Sequence, residues 1–365
     1  MAKRHAINIS FVSKISRCQE LIMSRSGADD LYEIIKILFI KSICSNKWVD
    51  FSHANQLLQA NENKVSGFVE GSVLFVMGHD VFDDCWQVLS DEDTNRLDYY
   101  TFDAVFEQLT SHKYKSNKGQ YFTPRNVVDF CIQSLNISKG SSVCDPACGS
   151  GSFLKSSYDY LDGVGTFFGY DISSRAVKVS NLMSYLLCNN ALYINQLDSL
   201  EKSHHDITAR YDVIVANPPF AGDVTDSRYV KSYELAAMSK GRVERDVLFL
   251  ERCVHLLKPN GKLAIILPDN KVSSSRFSYV RQWLLSHLAV KAVVSLDANT
   301  FKPYTSQKAV VIFAQKLEST QNTIAFYVSS QSGKNASGEF IVVDDNIQQD
   351  LGEIGDDIIP LWEEK

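Results

Sequence analysis

The chain has 365 residues, 45% of them hydrophobic, with 37 Lys or Arg against 43 Asp or Glu for a formal charge of −6. That length and apolar fraction suffice for a catalytic domain plus a smaller one, while with this acidic balance strong unaided binding to duplex DNA, itself a dense line of negative charge, is not expected unless the basic residues gather on one face. No apolar run approaches the length of a membrane span, and Met1-Ala2-Lys3-Arg4-His5 leads into no signal-peptide core, so a cytoplasmic protein is expected.

In chain order, Asp29 and Asp30 precede apolar positions at Leu31, Ile34, Ile35, Leu38, Phe39 and Ile43. This is the period of a helix with acidic caps. Ile37 and Ile40 widen the stripe, which predicts burial on more than one side. The helical style continues, giving an expected helical N-terminal domain over 1–110. Eight cysteines, at 18, 44, 85, 131, 144, 148, 188 and 253, contain no Cys-x-x-Cys pair, so buried reduced thiols are expected rather than a zinc ribbon or a disulfide framework. Lys113, Lys115 and Lys118 form one candidate phosphate-contacting patch, and Arg228, Lys231, Lys240, Arg242 and Arg245 another. A solvated surface is the competing reading, since Asp223, Asp226, Glu234, Glu244 and Asp246 interleave with the second group.

From Ser141 onward, strands are expected near 142–145, 166–171, 192–197, 211–216, 262–267, 290–296 and 308–315, separated by helical patterns. Such alternation builds an α/β, Rossmann-like domain with a mostly parallel, seven-stranded sheet and ligands at the carboxyl ends of strands. It is expected over 111–320, followed by an acidic extension over 321–365. Asp145, Asp171, Asp198 and Asn217 all fall at such ends. After the first strand, Asp145-Pro146-Ala147-Cys148-Gly149-Ser150-Gly151 turns into a helix, and Gly149 and Gly151 let the backbone approach a ligand where a side chain would obstruct it. Asp171 follows Gly151 by twenty residues, where a carboxylate can accept both hydroxyls of a ribose. A dinucleotide-binding domain is the competing reading, but it expects a third glycine where Leu154 stands.

Asn217-Pro218-Pro219-Phe220 comes directly after the apolar run Val213-Ile214-Val215-Ala216. The side-chain oxygen of Asn217 and the backbone carbonyl of Pro218 are two acceptors held stiffly by consecutive prolines. Two acceptors gripping the N–H groups of an aromatic amine localise its lone pair and make it nucleophilic, which points to methyl transfer onto an amino nitrogen. Phe220 offers an apolar face for a base. An ordinary strand-ending turn is the competing reading. Residues 221–246 then form a polar stretch without strong periodicity, expected to overhang the site, before a helix from Asp246 to Leu257.

With Asp-Pro-Ala-Cys-Gly-Ser-Gly-Ser-Phe-Leu at 145–154 and Asn-Pro-Pro-Phe at 217–220, the chain resembles adenine-N6 DNA methyltransferases. Gly119-Gln120-Tyr121-Phe122-Thr123-Pro124-Arg125 resembles the opening segment of the modification subunit of type I restriction-modification systems. The order of these segments is that of the gamma arrangement. Further similarity at 257–268 and 301–308 extends the resemblance over about residues 112 to 316. The resemblance implies S-adenosyl-L-methionine as cofactor. Thr123 and Gln120, with neighbouring Tyr121 and Phe122, would meet its methionine end; Asp145, Ala147, Gly149 and Gly151 form the turn around it; Asp171 holds its ribose and Asp198 its adenine edge. The catalytic residues implied are Asn217, Pro218, Pro219 and Phe220, with Phe301 or Tyr304 closing the other face of a flipped adenine. No metal is implied. The implied partners are DNA and a specificity subunit, with a restriction subunit as a further candidate. Ser152 stands where the family often has glycine, and the segment 341–365 has eight Asp or Glu against one Lys, which argues against DNA binding there. Two rivals remain: an RNA or protein amide methyltransferase, and a non-catalytic assembly subunit retaining the fold.

Overall fold

The computed structural model describes residues 7–45, 47–114, 122–201, 209–220, 222–239, 242–317, 323–331, 333–343 and 346–363, side chains within 110–114 excepted. Its contacts divide the chain into two units, residues 1–116 with 173–194, and residues 117–172 with 195–365.

The first unit is helical: α1 (Ile9–Arg25), α2 (Asp30–Ile43), α3 (Phe51–Ala60), α4 (His79–Val88) and α5 (Tyr99–Tyr114), with the helix Ser174–Leu187 from further along the chain. The expected caps of α2 are in place, Asp29 Oδ1 accepting from Leu31 N at 3.1 Å. Every residue from Asp30 to Lys41 is buried, so the widened stripe does mark a central helix. Among its polar members Lys36 is hydrogen-bonded internally, whereas Lys41 Nζ is buried with no hydrogen-bond partner among the described residues. Lys36 Nζ donates to Glu33 and to the Leu74 carbonyl at 2.7 Å each, and the Lys41 ammonium lies 5.1 Å from the centre of the Trp86 ring, a cation–π contact that offsets part of its desolvation. Asp29 also receives both guanidinium nitrogens of Arg175, at 2.6 and 3.1 Å.

The second unit is built on a sheet whose strands are β1 (Ser142–Asp145), β2 (Thr166–Asp171), β3 (Leu192–Gln196), β4 (Tyr211–Ala216), β5 (Leu257–Pro268), β6 (Ala289–Ser295), β7 (Ala309–Gln315) and β8 (Ala325–Val328). Their order is β8-β6-β7-β5-β4-β1-β2-β3, and β3 is where the chain passes from one unit to the other. The sheet has eight strands rather than the seven expected, β8 being added in parallel to β6. β7 runs antiparallel to β5 and β6. The helices α6 (Arg125–Ser134), α7 (Ser152–Tyr160), α8 (Ser174–Leu187), α9 (Arg245–Leu256), α10 (Ser278–His287) and α11 (Leu351–Ile358) complete the chain's main elements.

Topology places the site. β1 pairs in parallel with β2 on one side and β4 on the other, so the chain reverses its direction of travel across the sheet there. In open α/β sheets ligands bind at that switch point, outside the carboxyl ends of the strands. The turn after β1 and the segment after β4 leave from this edge side by side, since Cys144 is in register with Ile214.

Candidate active site

Asp145 closes β1 and is 1% exposed. Its Oδ1 accepts from Ala147 N at 2.9 Å, an Asx turn that starts the glycine loop. Desolvation, with a smaller contribution from the nearby Asp171 charge, pushes its carboxyl up to about 8. The loop continues in left-handed conformations at Gly149 (φ +53°) and Gly151 (φ +88°), where L side chains are disfavoured. A Cβ built on Gly149 would meet nothing within 4 Å, so the backbone there borders open space. The Gly149 N–H donates to Asp171 Oδ2 at 2.9 Å, which ties the end of β2 to the loop. Cys148 N donates to the Tyr170 carbonyl at 2.9 Å as a second tie.

Asp198 is brought to the same place, because Leu197 N donates to the Asp171 carbonyl at 3.0 Å and Ser199 Oγ to the Pro146 carbonyl at 2.6 Å. Both its carboxylate oxygens have protein partners. Oδ1 accepts from Leu200 N at 3.0 Å and Oδ2 from the Tyr229 hydroxyl at 2.6 Å. Tyr229 was not singled out in the sequence, and nothing local marks it. It reaches the strand end only because the segment after Phe220 folds back.

That segment is structured in its described part, unlike the aperiodic stretch expected. Asp223–Val224 pairs antiparallel with Val243–Glu244, short helices span Ser227–Val230 and Glu234–Met238, and Val224, Tyr233, Leu235, Ala236 and Val243 are buried. The Glu251 carboxylate of α9 accepts from Glu234 N and Leu235 N at 2.9 and 2.8 Å, filling the role of an N-terminal cap. Of the basic residues, Arg228 pairs with Asp226 at 2.8 Å and Arg242 with Asp223 at 3.7 Å; Lys115, Lys118, Lys240 and the Lys113 side chain lie outside the described residues.

Asn217 follows β4, and its Nδ2 donates to Thr123 Oγ1 at 2.9 Å. Its Oδ1 is buried and has no hydrogen-bond partner among the described residues. An orphaned buried carbonyl costs about 1–3 kcal/mol, and such a cost is commonly tolerated where a ligand later supplies the missing donor. Pro218 is buried and Pro219 half-buried. Phe220 is 5% exposed, its ring edge-on to Phe301 at 5.5 Å and 71°, so it belongs to an apolar wall rather than standing as a free platform. Phe301 is 2% exposed and Tyr304 36%, which places Phe301, not Tyr304, in that wall. Phe122 is half-buried beside Thr123; Gln120 and Tyr121 lie outside the described residues.

The sheet order, glycine turn and strand-end acceptor define a methyltransferase fold of the S-adenosylmethionine-dependent kind. A sequence model of N-6 DNA methylases matches residues 98–354, and the chain belongs to that family. It is 26% identical over 243 residues to the type I restriction enzyme EcoEI methylase subunit of Escherichia coli, covering 62% of this chain and 49% of that protein. It is likewise 26% identical over 226 residues to the type II methyltransferase M.VspI of Vibrio sp. strain 343, covering 60% of this chain and 54% of the relative. The chain thus spans about half the length of these relatives. Among solved structures, the methyltransferase subunit of a type I restriction-modification system from Streptococcus thermophilus superposes with a TM-score of 0.73 at 15% identity, over 98% of this chain and 94% of that one. A protein from Listeria monocytogenes described as a class I S-adenosylmethionine-dependent methyltransferase superposes at 0.62 and 14% identity, over 95% of this chain and 99% of that one. At these identities the superpositions speak for the fold alone.

Proposed function

We propose that the chain transfers a methyl group from S-adenosyl-L-methionine to N6 of adenine in DNA, as the modification subunit of a type I restriction-modification system. The observation that carries this reading is the buried Oδ1 of Asn217 at the end of β4, without a hydrogen-bond partner among the described residues. It is an acceptor waiting for an N–H donor, beside a glycine turn of the kind that receives a nucleoside. When bound, the cofactor supplies a methyl group activated by its sulfonium. Asn217 Oδ1 and the Pro218 carbonyl accept the two N–H groups of the amine, so its lone pair localises on nitrogen and the developing positive charge is stabilised. Phe220 and Phe301 exclude water from one side; the N–CH3 bond forms as the sulfonium S–CH3 bond breaks, and the methylated amine, then positively charged, gives its extra proton to solvent, so no acid–base side chain is assigned. The main contribution of the protein is alignment.

The cofactor's chemistry fits the residues around the turn. The open space over Gly149 admits a ligand against the backbone, Asp171 is held at the loop for a ribose, and Asp145 is a buried carboxyl to which a cationic group would be the natural complement. That last pairing has a measurable consequence. With its carboxyl near 8, free Asp145 is mostly protonated at neutral pH, and an ammonium placed beside it favours the ionised form. Cofactor binding at pH 7 is therefore expected to release up to one proton, and its affinity to rise as pH increases from 6 to 8. Calorimetry in buffers of different ionisation enthalpy reads this directly; an enthalpy independent of buffer excludes it. The sign for the unliganded protein is opposite. Between the ordinary carboxylate value and about 8 the folded state holds a proton that the unfolded chain has lost, so stability declines as pH rises through that window.

Sequence readout is proposed to come from a separate specificity subunit, because the net charge of −6 gives the chain little unaided attraction for duplex DNA. Purified chain should bind the cofactor yet methylate duplex DNA weakly, and gain site-specific adenine methylation when the specificity subunit is added. Methylation mapped by sequencing, with RNA and protein acceptors run in parallel, tests this. Efficient modification of a defined sequence by the chain alone removes the partner from the proposal; methyl transfer to RNA or protein in place of DNA overturns the substrate.

A further inference from the structure

The segment bearing Thr123 carries a role that the cofactor does not exhaust. An amide side chain has a carbonyl at one corner and an NH2 at the other, nearly identical in shape, and a half-turn about its last torsion exchanges them. For Asn217 the exchange reverses function. With Oδ1 facing the acceptor pocket the side chain grips an amine N–H; with Nδ2 there it would oppose one donor with another. Nothing in Pro218 or Pro219 decides between the two orientations, since the ring constraint acts on the backbone.

Nδ2 donates to Thr123 Oγ1 at 2.9 Å. A hydroxyl can accept from an NH2 or donate to a carbonyl, so it is the target amine, offering only N–H groups, that requires Oδ1 on its side, and Thr123 that can accept from Nδ2 in that orientation. Thr123 is itself 9% exposed, so the hydroxyl is held within the protein and not averaged by solvent. The adjoining Pro124 starts α6 with φ −54° and ψ 135°, so the threonine is anchored where the helix begins. Because Oδ1 remains without a partner among the described residues, the unliganded protein gives the amide a partner on one side only. We propose that Thr123 is a positioning residue for methyl transfer: its hydroxyl oxygen accepts from Asn217 Nδ2 and so holds the amide in the orientation that presents Oδ1 to the target amine. This rests on the reading of Asn217 as the amine-binding residue. It assigns to Thr123 an effect on the methyl-transfer step distinct from any contact with the cofactor.

The test is the split between cofactor binding and turnover. Thr123→Val keeps shape and volume but removes the acceptor, and Thr123→Ser keeps the acceptor. Protein purified natively from its host, with the subunits that copurify, is given S-adenosylmethionine at saturation and DNA from cells lacking the gene, and methyl incorporation is followed beside calorimetric cofactor binding. The expected result for Thr123→Val is a turnover about tenfold lower or worse, the scale of one lost hydrogen bond, at saturating cofactor, with Thr123→Ser near wild type. Wild-type turnover at saturation, with only the cofactor affinity reduced, overturns the proposal and leaves Thr123 a cofactor ligand. Equal loss in Thr123→Ser and Thr123→Val overturns it too, since the hydroxyl would then not be what matters. Asn217→Ala in the same assay separates the layers: if that variant stays active the amine-binding reading itself fails, whereas an inactive Asn217→Ala beside a fully active Thr123→Val defeats only the positioning role.

Discussion

Asn217→Ala is expected to lower methyl transfer by a factor on the order of 10²–10³, the scale for deleting one preorganised group that meets developing charge, while cofactor affinity stays close to wild type. The second half of the expectation follows from where Asn217 sits. It leaves the end of β4 toward Thr123, whereas the ties among Asp145, Ala147, Gly149 and Asp171 shape the turn after β1. Folding stability should barely change. The substitution loses the bond to Thr123, about 1 kcal/mol, but also removes an orphaned buried carbonyl that costs about 1–3 kcal/mol. A catalytic residue whose removal leaves the melting curve in place is what a site built for a ligand, at some expense to the free protein, should contain. Methyl incorporation beside calorimetric cofactor binding and a thermal melt decides the matter. Turnover above a tenth of wild type would sink the role of Asn217.

Why these residues were legible in the sequence is a matter of strand burial. A parallel sheet covered on both faces needs continuous apolar runs, and Val213 to Ala216 is such a run with each member at most 3% exposed. The first polar residue after the run is therefore at the carboxyl edge, where ligands bind. The same logic located Asp145, which follows Val143 and Cys144, both fully buried. It fails at β8, whose Phe326 and Val328 are 71% and 72% exposed: an edge strand with an open face has no buried run to announce it. It also fails within β5, which begins at Leu257 and not near 262 because Tyr211 pairs with Leu257 before a register shift, with Asn260 in the left-handed conformation at φ +63°. The turn Lys258-Pro259-Asn260-Gly261 hid that pairing. Tyr229 and the Thr123–Asn217 contact were illegible for a different reason. Each joins residues 31 and 94 positions apart, and only tertiary packing brings them together.

The C-terminal segment is acidic in composition and nonetheless carries a buried face. Eight acidic residues between 341 and 365 suggested an extension, but Leu351 and Ile358 are fully buried, seven residues apart on one face of α11. That spacing was readable in the sequence, and the acidic positions Glu353, Asp356 and Asp357 lie on the exposed side. The segment packs closely on α6: a Cβ added to Gly355 would come within 2.9 Å of Ser134 Oγ. Asn126 Nδ2 also donates to Gln349 Oε1 at 3.0 Å.

Trp362→Ala is accordingly expected to destabilise the second unit by about 3–5 kcal/mol, the range for truncating a buried tryptophan. The indole is 9% exposed, and its Nε1 donates to the Ser134 carbonyl at 2.6 Å. Lys262 stacks its ammonium 4.7 Å from the indole centre and donates to the carbonyls of Leu135 and Asn136 at 2.8 and 2.9 Å. Together the two side chains satisfy three carbonyls at the end of α6, where the last turn of a helix has no partners of its own. Removing the ring empties the packing site and uncovers Ser134 at once. Trp362→Phe, which keeps most of the packing but loses the N–H, should cost less, about 1–3 kcal/mol. Urea unfolding of both variants reads the difference. A Trp362→Ala protein within about 1 kcal/mol of wild type, below the range for cavity formation, would show that the segment does not brace α6. The consequence reaches the site, because α6 begins two residues after Thr123, with Pro124 as its cap. A helix loosened at its far end would hold that hydroxyl less firmly against Asn217, so in Trp362→Ala methyl transfer should fall at temperatures below the unfolding transition, with cofactor binding affected less.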